Sequence, residues 1–218
     1  MSDSHASSAL AHQFEDLEQQ HEAASLGMWI FLATEVMFFG GIFAGYTIYR
    51  NLYLPGFEAG SHMLNVTIGA VNTAVLICSS LTMALAVRAA QMGKRNALVA
   101  FLVLTIALGL AFVMIKLTLE WRHDYLEGFA PGLNFTFAGA NAKSVELFFC
   151  FYFIMTGVHA LHMIVGMGVL GVLLIQAWKG HFGPDHFNAV EGTGLYWHFV
   201  DIVWIFLFPL LYLIGGRY

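Results

Sequence analysis

Five long apolar stretches constrain the fold of this 218-residue sequence more than any other feature. They lie at about residues 23–49, 63–90, 97–119, 145–178 and 192–214. A helix crosses a bilayer with about 20 mostly apolar residues, and each stretch reaches that length. A backbone in hydrocarbon must satisfy its own hydrogen bonds, and the alternating pattern of a membrane barrel is absent. We therefore predict an all-α integral membrane protein, a bundle of five transmembrane helices.

The composition excludes several other classes of protein. Apolar residues make up 59% of the sequence and charged residues 11%, whereas a soluble domain carries roughly 25% charged residues. The net charge of −5, without a basic cluster, argues against nucleic acid as a partner. Cys78 and Cys150 stand alone in apolar stretches, so neither a disulfide framework nor a zinc ribbon is indicated.

The first 22 residues differ from the rest of the chain. They hold five of the fourteen acidic residues and no Lys or Arg. A secretory signal begins with basic residues, so we predict an acidic, solvated tail at residues 1–22, followed by a membrane domain at 23–218. The compact basic connector at Arg88, Lys94 and Arg95 favours a cytoplasmic N-terminus, which places the C-terminus outside.

Glu35 is the one acid within the first apolar stretch, near its middle. Ionisable groups in hydrocarbon are costly, so this carboxyl is a candidate functional residue. One interpretation is a proton-handling site. The other, which we favour, is a neutral carboxyl that donates a hydrogen bond to a hydroxyl, an imidazole or a backbone carbonyl on a neighbouring helix.

Polar residues also interrupt the fourth and fifth stretches. His159 and His162 are three residues apart and are neighbours on one helix face. Glu191 and His198 are seven apart, with Asp201 three beyond, so these also share a face. We predict an interhelical polar seam facing protein rather than lipid. From the residues alone, a proton relay, a substrate path and an interface lock all remain open.

Charged residues near the ends of the stretches have simpler explanations. Lys116, Glu120 and Arg122, near the end of the third stretch, are typical of boundary residues that snorkel towards water, and an ion pair among them is the alternative. Lys179 and His181 follow a tryptophan at the end of the fourth stretch. Cations at such a position contact lipid phosphates, so we predict a lipid headgroup there; solvated loop charges are the alternative.

Motifs in all five stretches, in order, resemble subunit III of haem–copper terminal oxidases. They are Trp29, Glu35, Phe38 and Phe39 in the first stretch; Leu64-Asn65 and Asn72-Thr73-Ala74-Val75 in the second; Glu120-Trp121 closing the third; Thr156, Gly157, His159, His162 and Gly166 in the fourth; and Tyr196-Trp197-His198-Phe199-Val200-Asp201 with Trp204 in the fifth. The last two motifs are long, and the resemblance extends from about residue 27 to the end.

The resemblance implies a short bacterial form that lacks the first two helices of the seven-helix form. Such a subunit binds no metal and no haem, since haem and copper reside in partner subunits. It packs against catalytic subunit I, within a complex that includes subunit II, in the bacterial inner membrane. Its implied roles are to support proton uptake, to protect the active site from inactivation during turnover and to bind phospholipid.

The resemblance also bears on the electron donor. Quinol oxidase members tend to have Asp where this chain has Glu35, so we favour a cytochrome c oxidase. A quinol oxidase or a complex associated with nitric oxide reductase is the alternative. Two other classes remain: a b-type cytochrome with His159, His162 and His198 as axial ligands, and a small transporter with Glu35 and Asp201 in a proton path.

Overall fold

The computed structural model describes residues 17–132, 135–137, 139, 141–183 and 187–214, and these form helices without strands. The elements are α1 (Leu17–Leu52), α2 (Leu54–Met63), α3 (Val66–Gln91), α4 (Arg95–Ile115), a π-helical segment (Lys116–Trp121), α5 (Arg122–Leu126), α6 (Ala142–Lys179) and α7 (Asn188–Tyr212). Within this part of the chain, five helices are long and apolar enough to cross a membrane. The predicted all-α, five-span fold is confirmed.

The spans differ from the predicted ones mainly at their ends. The third runs from α4 through the π-helical segment into α5, so it continues to Leu126 rather than ending near residue 119. The first begins within the predicted acidic tail, where Glu18 and Glu22 lie exposed on α1. The rest of that tail, residues 1–16, and residues 215–218 lie outside the described residues.

A short helix, α2, occupies the connection between the first two spans, where the sequence indicated only a turn. Pro55 lies in its first turn, a position that needs no backbone N–H donor. A Cβ on Gly56 would lie 2.2 Å from the Cβ of Ser144, and one on Gly60 would lie 2.4 Å from the Phe148 ring. These two glycines therefore let α2 pack directly on the start of α6.

Four helices, α3, α4, α6 and α7, form the body of the bundle. Trp197 and Trp204 of α7 are fully buried within it, and both indole N–H groups donate to hydroxyls of α3. The Trp197 indole nitrogen lies 3.1 Å from Ser79 Oγ, and that of Trp204 lies 3.0 Å from Thr73 Oγ1. Lipid offers little hydrophobic driving force between helices, so such close packing and hydrogen bonds hold the body together.

The first span packs less extensively. Only 11% of its most apolar stretch is buried, compared with 50% for α7. Its contacts within the chain are with α2, α6 and α7. Tyr46 anchors its C-terminal half, because the hydroxyl donates to the carbonyl of Leu210 at 2.5 Å. One flank of α1 therefore remains open to lipid or to another chain.

Candidate functional site

Polar side chains meet between the helices in three separate clusters. The first is the Glu35–His162 pair, which joins α1 to α6. The second, here called the central cleft, contains Ser80 of α3 with His198 and Asp201 of α7. The third, here called the buried ion-pair cluster, contains Lys116 and Glu120 of the π-helical segment with Tyr152 of α6 and Tyr212 of α7; its members are joined by hydrogen bonds.

In the Glu35–His162 pair, His162 Nε2 lies 3.1 Å from Glu35 Oε2. An imidazole on a neighbouring helix is one of the partners expected for this carboxyl. Phe39 packs against the imidazole with ring centroids 5.1 Å apart, and the Tyr196 hydroxyl donates to the His162 carbonyl at 3.0 Å. Both side chains of the pair are half-buried, so the contact lies at the edge of the bundle rather than in its core.

The second ring nitrogen of His162 determines what this pair can do chemically. Nδ1 lies 2.8 Å from the carbonyl of Val158, and because a carbonyl only accepts, Nδ1 carries a proton. The contact between Nε2 and Glu35 then contains a single proton, which lies either on the carboxyl or on the imidazole. A neutral carboxyl donates to Nε2, or a protonated imidazole donates to the carboxylate. The pair is hydrogen-bonded in both states.

The central cleft lies between the middles of α3 and α7 and has a volume of about 430 Å³. His198 Nδ1 lies 2.7 Å from Ser80 Oγ, while Asp201 lines the same cleft. The remaining lining is apolar, and Ile202 and Ile205 are exposed at its rim. Among the described residues, neither oxygen of the buried Asp201 carboxyl accepts a hydrogen bond. The Asp201 carboxyl is therefore buried in the wall of this apolar cleft, on the same side as Ser80 and His198.

The residues of the predicted polar seam make different contacts: His198 and Asp201 share the central cleft, whereas the others lie elsewhere. His159 points into the core, with its ring centroid 5.4 Å from that of Phe112 and 5.1 Å from that of Trp204. His162 instead contacts α1, so the two histidines do not form a shared site. Glu191 lies half-buried in the first turn of α7, where an acidic residue complements the helix dipole. The sequence spacing of these residues predicted which helix face each one lies on, but it did not predict which residues of other helices they contact.

The buried ion-pair cluster corrects the interpretation of Lys116 and Glu120 as snorkelling residues. Their side chains are only 1% and 5% exposed, and they form an ion pair. The Lys116 ammonium also donates to Tyr152 at 3.1 Å and to Tyr212 at 2.6 Å, and the Tyr212 hydroxyl donates to Glu120 at 2.5 Å. Arg122 is exposed, as a boundary residue should be.

Sequence reasoning left the ion pair open but missed its burial and its tyrosine partners, which lie 32 to 96 residues away from Lys116 and Glu120. One indication was available: an acid four residues after a lysine within an apolar span is a costly arrangement unless the two charges pair. The π-helical geometry of the segment was not predictable from composition. Such segments inside α-helices are frequent at functional sites.

The predicted lipid-headgroup residues, Lys179 and His181, are both exposed at the end of α6. Arg95, which the sequence analysis did not connect with them, lies beside them and donates to the carbonyl of Trp178. Gly180 ends the helix with a φ of +79°, a backbone conformation that favours glycine. Three potential cations thus lie at one end of the bundle, next to an exposed tryptophan.

No group of three or more His, Cys, Asp or Glu side chains in the described part of the chain has an arrangement able to hold a metal ion. The three clusters instead contain hydrogen-bonding pairs that join helices. Their chemistry is that of structural contacts and of proton-sharing between a carboxyl and an imidazole.

Comparison with known proteins gives one consistent family. The family model described as cytochrome c oxidase subunit III matches residues 11–216. The chain is 30% identical over 210 residues to cytochrome bo(3) ubiquinol oxidase subunit 3 of Pseudomonas aeruginosa, covering 94% of each chain. It is 33% identical over 198 residues to cytochrome c oxidase subunit 3 of Sus scrofa, covering 87% of this chain and 69% of the relative.

A third relative is quinol oxidase subunit 3 of Bacillus subtilis, which is 30% identical over 202 residues, with 91% of this chain and 92% of the relative covered. The family match extends through all five spans, and the relatives' names include oxidases of both cytochrome c and quinol. The chain belongs to the cytochrome c oxidase subunit III family, and its relatives are the third subunits of haem–copper respiratory oxidases.

Proposed function

We propose that this chain is the accessory, non-redox subunit of a proton-pumping haem–copper oxidase in a bacterial inner membrane, where it stabilises catalytic subunit I in a complex with subunit II. The observation that carries the proposal is the open apolar central cleft, with the buried Asp201 carboxyl and His198 in its wall. An unpaired polar group in hydrocarbon costs several kcal/mol, about enough to favour a partner helix over lipid. The cleft is therefore the surface where we expect subunit I to pack.

Substitution of Asp201 tests this assignment in the assembled oxidase. Asp201→Ala removes the carboxyl, so the chain should dissociate from the complex about tenfold more readily during purification. Asp201→Asn keeps a hydrogen-bonding side chain of the same size and is the matched control, with retention close to wild type. The measurement is the ratio of this chain to subunit I after solubilisation. Complete loss of turnover in a fully assembled Asp201→Ala complex would contradict the structural role.

The proposal also gives a structural role to the Glu35–His162 pair. It holds the sparsely packed α1 against α6 in either protonation state, because one proton is shared between Nε2 and Oε2. A rigid subunit III supports sustained proton uptake by subunit I and so limits inactivation during turnover. The pair itself is outside the path of electrons.

We propose cytochrome c as the electron donor of the complex. Glu35, where quinol oxidase members tend to have Asp, supports this assignment. The relatives that act on quinol, at 30% identity over most of the chain, keep a quinol oxidase as the second candidate. Oxygen consumption by membranes supplied with either reduced cytochrome c or a quinol separates the two. Activity with quinol alone would overturn the assignment.

Orientation and lipid contact complete the proposal. The connector with Arg88, Lys94 and Arg95 supports a cytoplasmic N-terminus and an external C-terminus. Lys179 and His181 then lie on the cytoplasmic side, with Arg95 beside them, and bind the phosphate of an anionic phospholipid. A single cysteine at Met92, in a chain with Cys78 and Cys150 replaced by Ser, should react with an impermeant maleimide only after the cells are opened. Reaction on intact cells would reverse the orientation.

A further inference from the structure

The central cleft is a groove between two helix faces. Its lining repeats every three or four positions along both walls, with Leu76, Ser80 and Ala84 on α3 and His198, Asp201 and Ile205 on α7. Residues at this spacing lie on one side of a helix, so each wall is a single helix face about two turns long. Ridges of side chains at the same spacing on a third helix fit such a groove.

The groove is bounded along the helix axes, because α3 and α7 are in close contact on both sides of it. A Cβ on Gly194 would lie 2.9 Å from Val87 Cγ2, and one on Gly69 would lie 2.8 Å from the Phe208 ring. Between these contacts the helices separate, and Leu81 at the rim is 62% exposed. The groove therefore opens sideways into the membrane.

His198 presents a polar atom to this groove. Its Nδ1 contacts Ser80 Oγ at 2.7 Å, whereas its Nε2 makes no hydrogen bond within the described residues. Unlike the oxygens of Asp201, this nitrogen is not enclosed by protein. Acyl chains offer neither a donor nor an acceptor, so lipid in the groove would leave Nε2 unsatisfied. The favoured occupant therefore brings a polar group of its own.

A hydroxyl fits both tautomers of a neutral imidazole. If the Ser80 hydroxyl donates to Nδ1, Nε2 carries the proton and needs an acceptor; if Nδ1 donates to Ser80, Nε2 needs a donor. Ser and Thr hydroxyls can do either, and both residues are common where membrane helices approach closely. We propose that the central cleft receives a transmembrane helix of subunit I that presents a Ser or Thr hydroxyl to His198 Nε2. This inference rests on the proposed function of the cleft and adds the chemistry of the partner.

Photo-crosslinking in the assembled oxidase tests whether a helix of subunit I lies in the cleft. The probe is p-benzoylphenylalanine in place of Leu81, at the rim. The matched control carries it in place of Ile164, an exposed residue of α6, which makes no contact with α3 within the described residues. The Leu81 probe should label a transmembrane segment of subunit I that the control does not label. Labelling of lipid or of a quinone alone would overturn both this inference and the proposed function of the cleft.

Two substitutions of His198 test the hydrogen bond itself. The amide of His198→Gln reaches about as far as Nε2, whereas the shorter amide of His198→Asn reaches only as far as Nδ1. Retention of this chain with subunit I after solubilisation should be close to wild type for His198→Gln and about fivefold lower for His198→Asn. Ser80→Ala removes only the contact at Nδ1 and should keep wild-type retention. Equal retention of the two His198 variants, with the Leu81 label still on subunit I, would overturn the contact and leave the proposed function intact.

A double-mutant cycle identifies the hydroxyl. In the labelled segment of subunit I, each serine is replaced by alanine and each threonine by valine, alone and together with His198→Asn. At the contacting position the double variant should dissociate no more readily than either single variant, because both changes remove the same hydrogen bond. Additive losses at every position, or a labelled segment without serine or threonine, would overturn the assignment to a hydroxyl.

Discussion

The four-helix body and α1 solve the problem of polar groups in a membrane in different ways. In the body, α7 alone contributes two buried tryptophans that donate hydrogen bonds to hydroxyls of α3. It also contributes the tyrosine that donates to Glu120 in the buried ion-pair cluster. Helix α1 is joined to its neighbours by the half-buried Glu35–His162 pair and by the Tyr46 hydroxyl. The body thus has a dense internal network, whereas α1 depends on few contacts, one fully buried at Tyr46 and one half-buried at Glu35.

This difference separates the contacts that stabilise the chain itself from the surfaces that remain available to lipid or to other subunits. A body held by many enclosed contacts tolerates the loss of one outer contact. A span with an open apolar flank and few anchors is completed by lipid or by another subunit. We therefore expect substitutions in the enclosed contacts of the body to change the stability of the chain. Substitutions on α1 or in the open central cleft should instead change its behaviour within the oxidase.

The largest effect is expected from Lys116→Met. Removing one partner leaves the Glu120 carboxylate uncompensated in the protein interior, which costs about 3–5 kcal/mol of unfolding free energy. Lys143→Met, at an exposed position in the first turn of α6, is the control and should leave stability unchanged. The measurement is unfolding of the purified chain in mixed micelles. A loss below about 1 kcal/mol would show that the cluster is not the main constraint on the body.

A pair of tyrosine substitutions compares the two regions directly, since each removes one hydroxyl. Tyr212→Phe removes hydrogen bonds to the charged Lys116 and Glu120, with an expected cost of about 1.5–3 kcal/mol. Tyr46→Phe removes a neutral hydrogen bond to the Leu210 carbonyl, with an expected cost of about 0.5–1.5 kcal/mol. The same unfolding assay checks both. An equal or larger cost at Tyr46 would contradict the distinction between the body and α1.

The smallest effect on stability is expected from Lys179→Gln at the exposed end of α6. Unfolding free energy should change by less than about 0.5 kcal/mol. Retention of anionic phospholipid should fall by an amount corresponding to about 1 kcal/mol, because each surface cation contributes roughly that much to membrane attraction. Lipid remaining on the purified chain, measured by mass spectrometry, checks this. Lys94→Gln, in the connector after α3, is the comparison; an equal loss there would make the effect nonspecific.

Some of this organisation could be predicted from local sequence and some could not. Continuous apolar stretches indicated the five spans, and the isolation of Glu35 indicated a partner on another helix. Spacing along one helix could not show that His159 and His162 contact different elements. Nor could it show that Lys116 is buried inside the bundle rather than extended towards water, because the tyrosines that enclose it come from α6 and α7. Partner choice between helices depends on the packed bundle, not on the pattern within a span.

Glu35 provides the most direct test of the central claim that this chain acts as a structural, accessory subunit. Glu35→Gln keeps the size of the side chain and a hydrogen-bond donor to His162, whereas Glu35→Ala removes the contact. The measurement is oxygen consumption by the purified complex, followed from the first turnovers through sustained activity. We predict initial rates equal to wild type in both variants, with a faster loss of activity in Glu35→Ala alone. An assembled Glu35→Gln complex that fails to reduce oxygen or to pump protons from the first turnover would make Glu35 part of a proton path and would contradict the account.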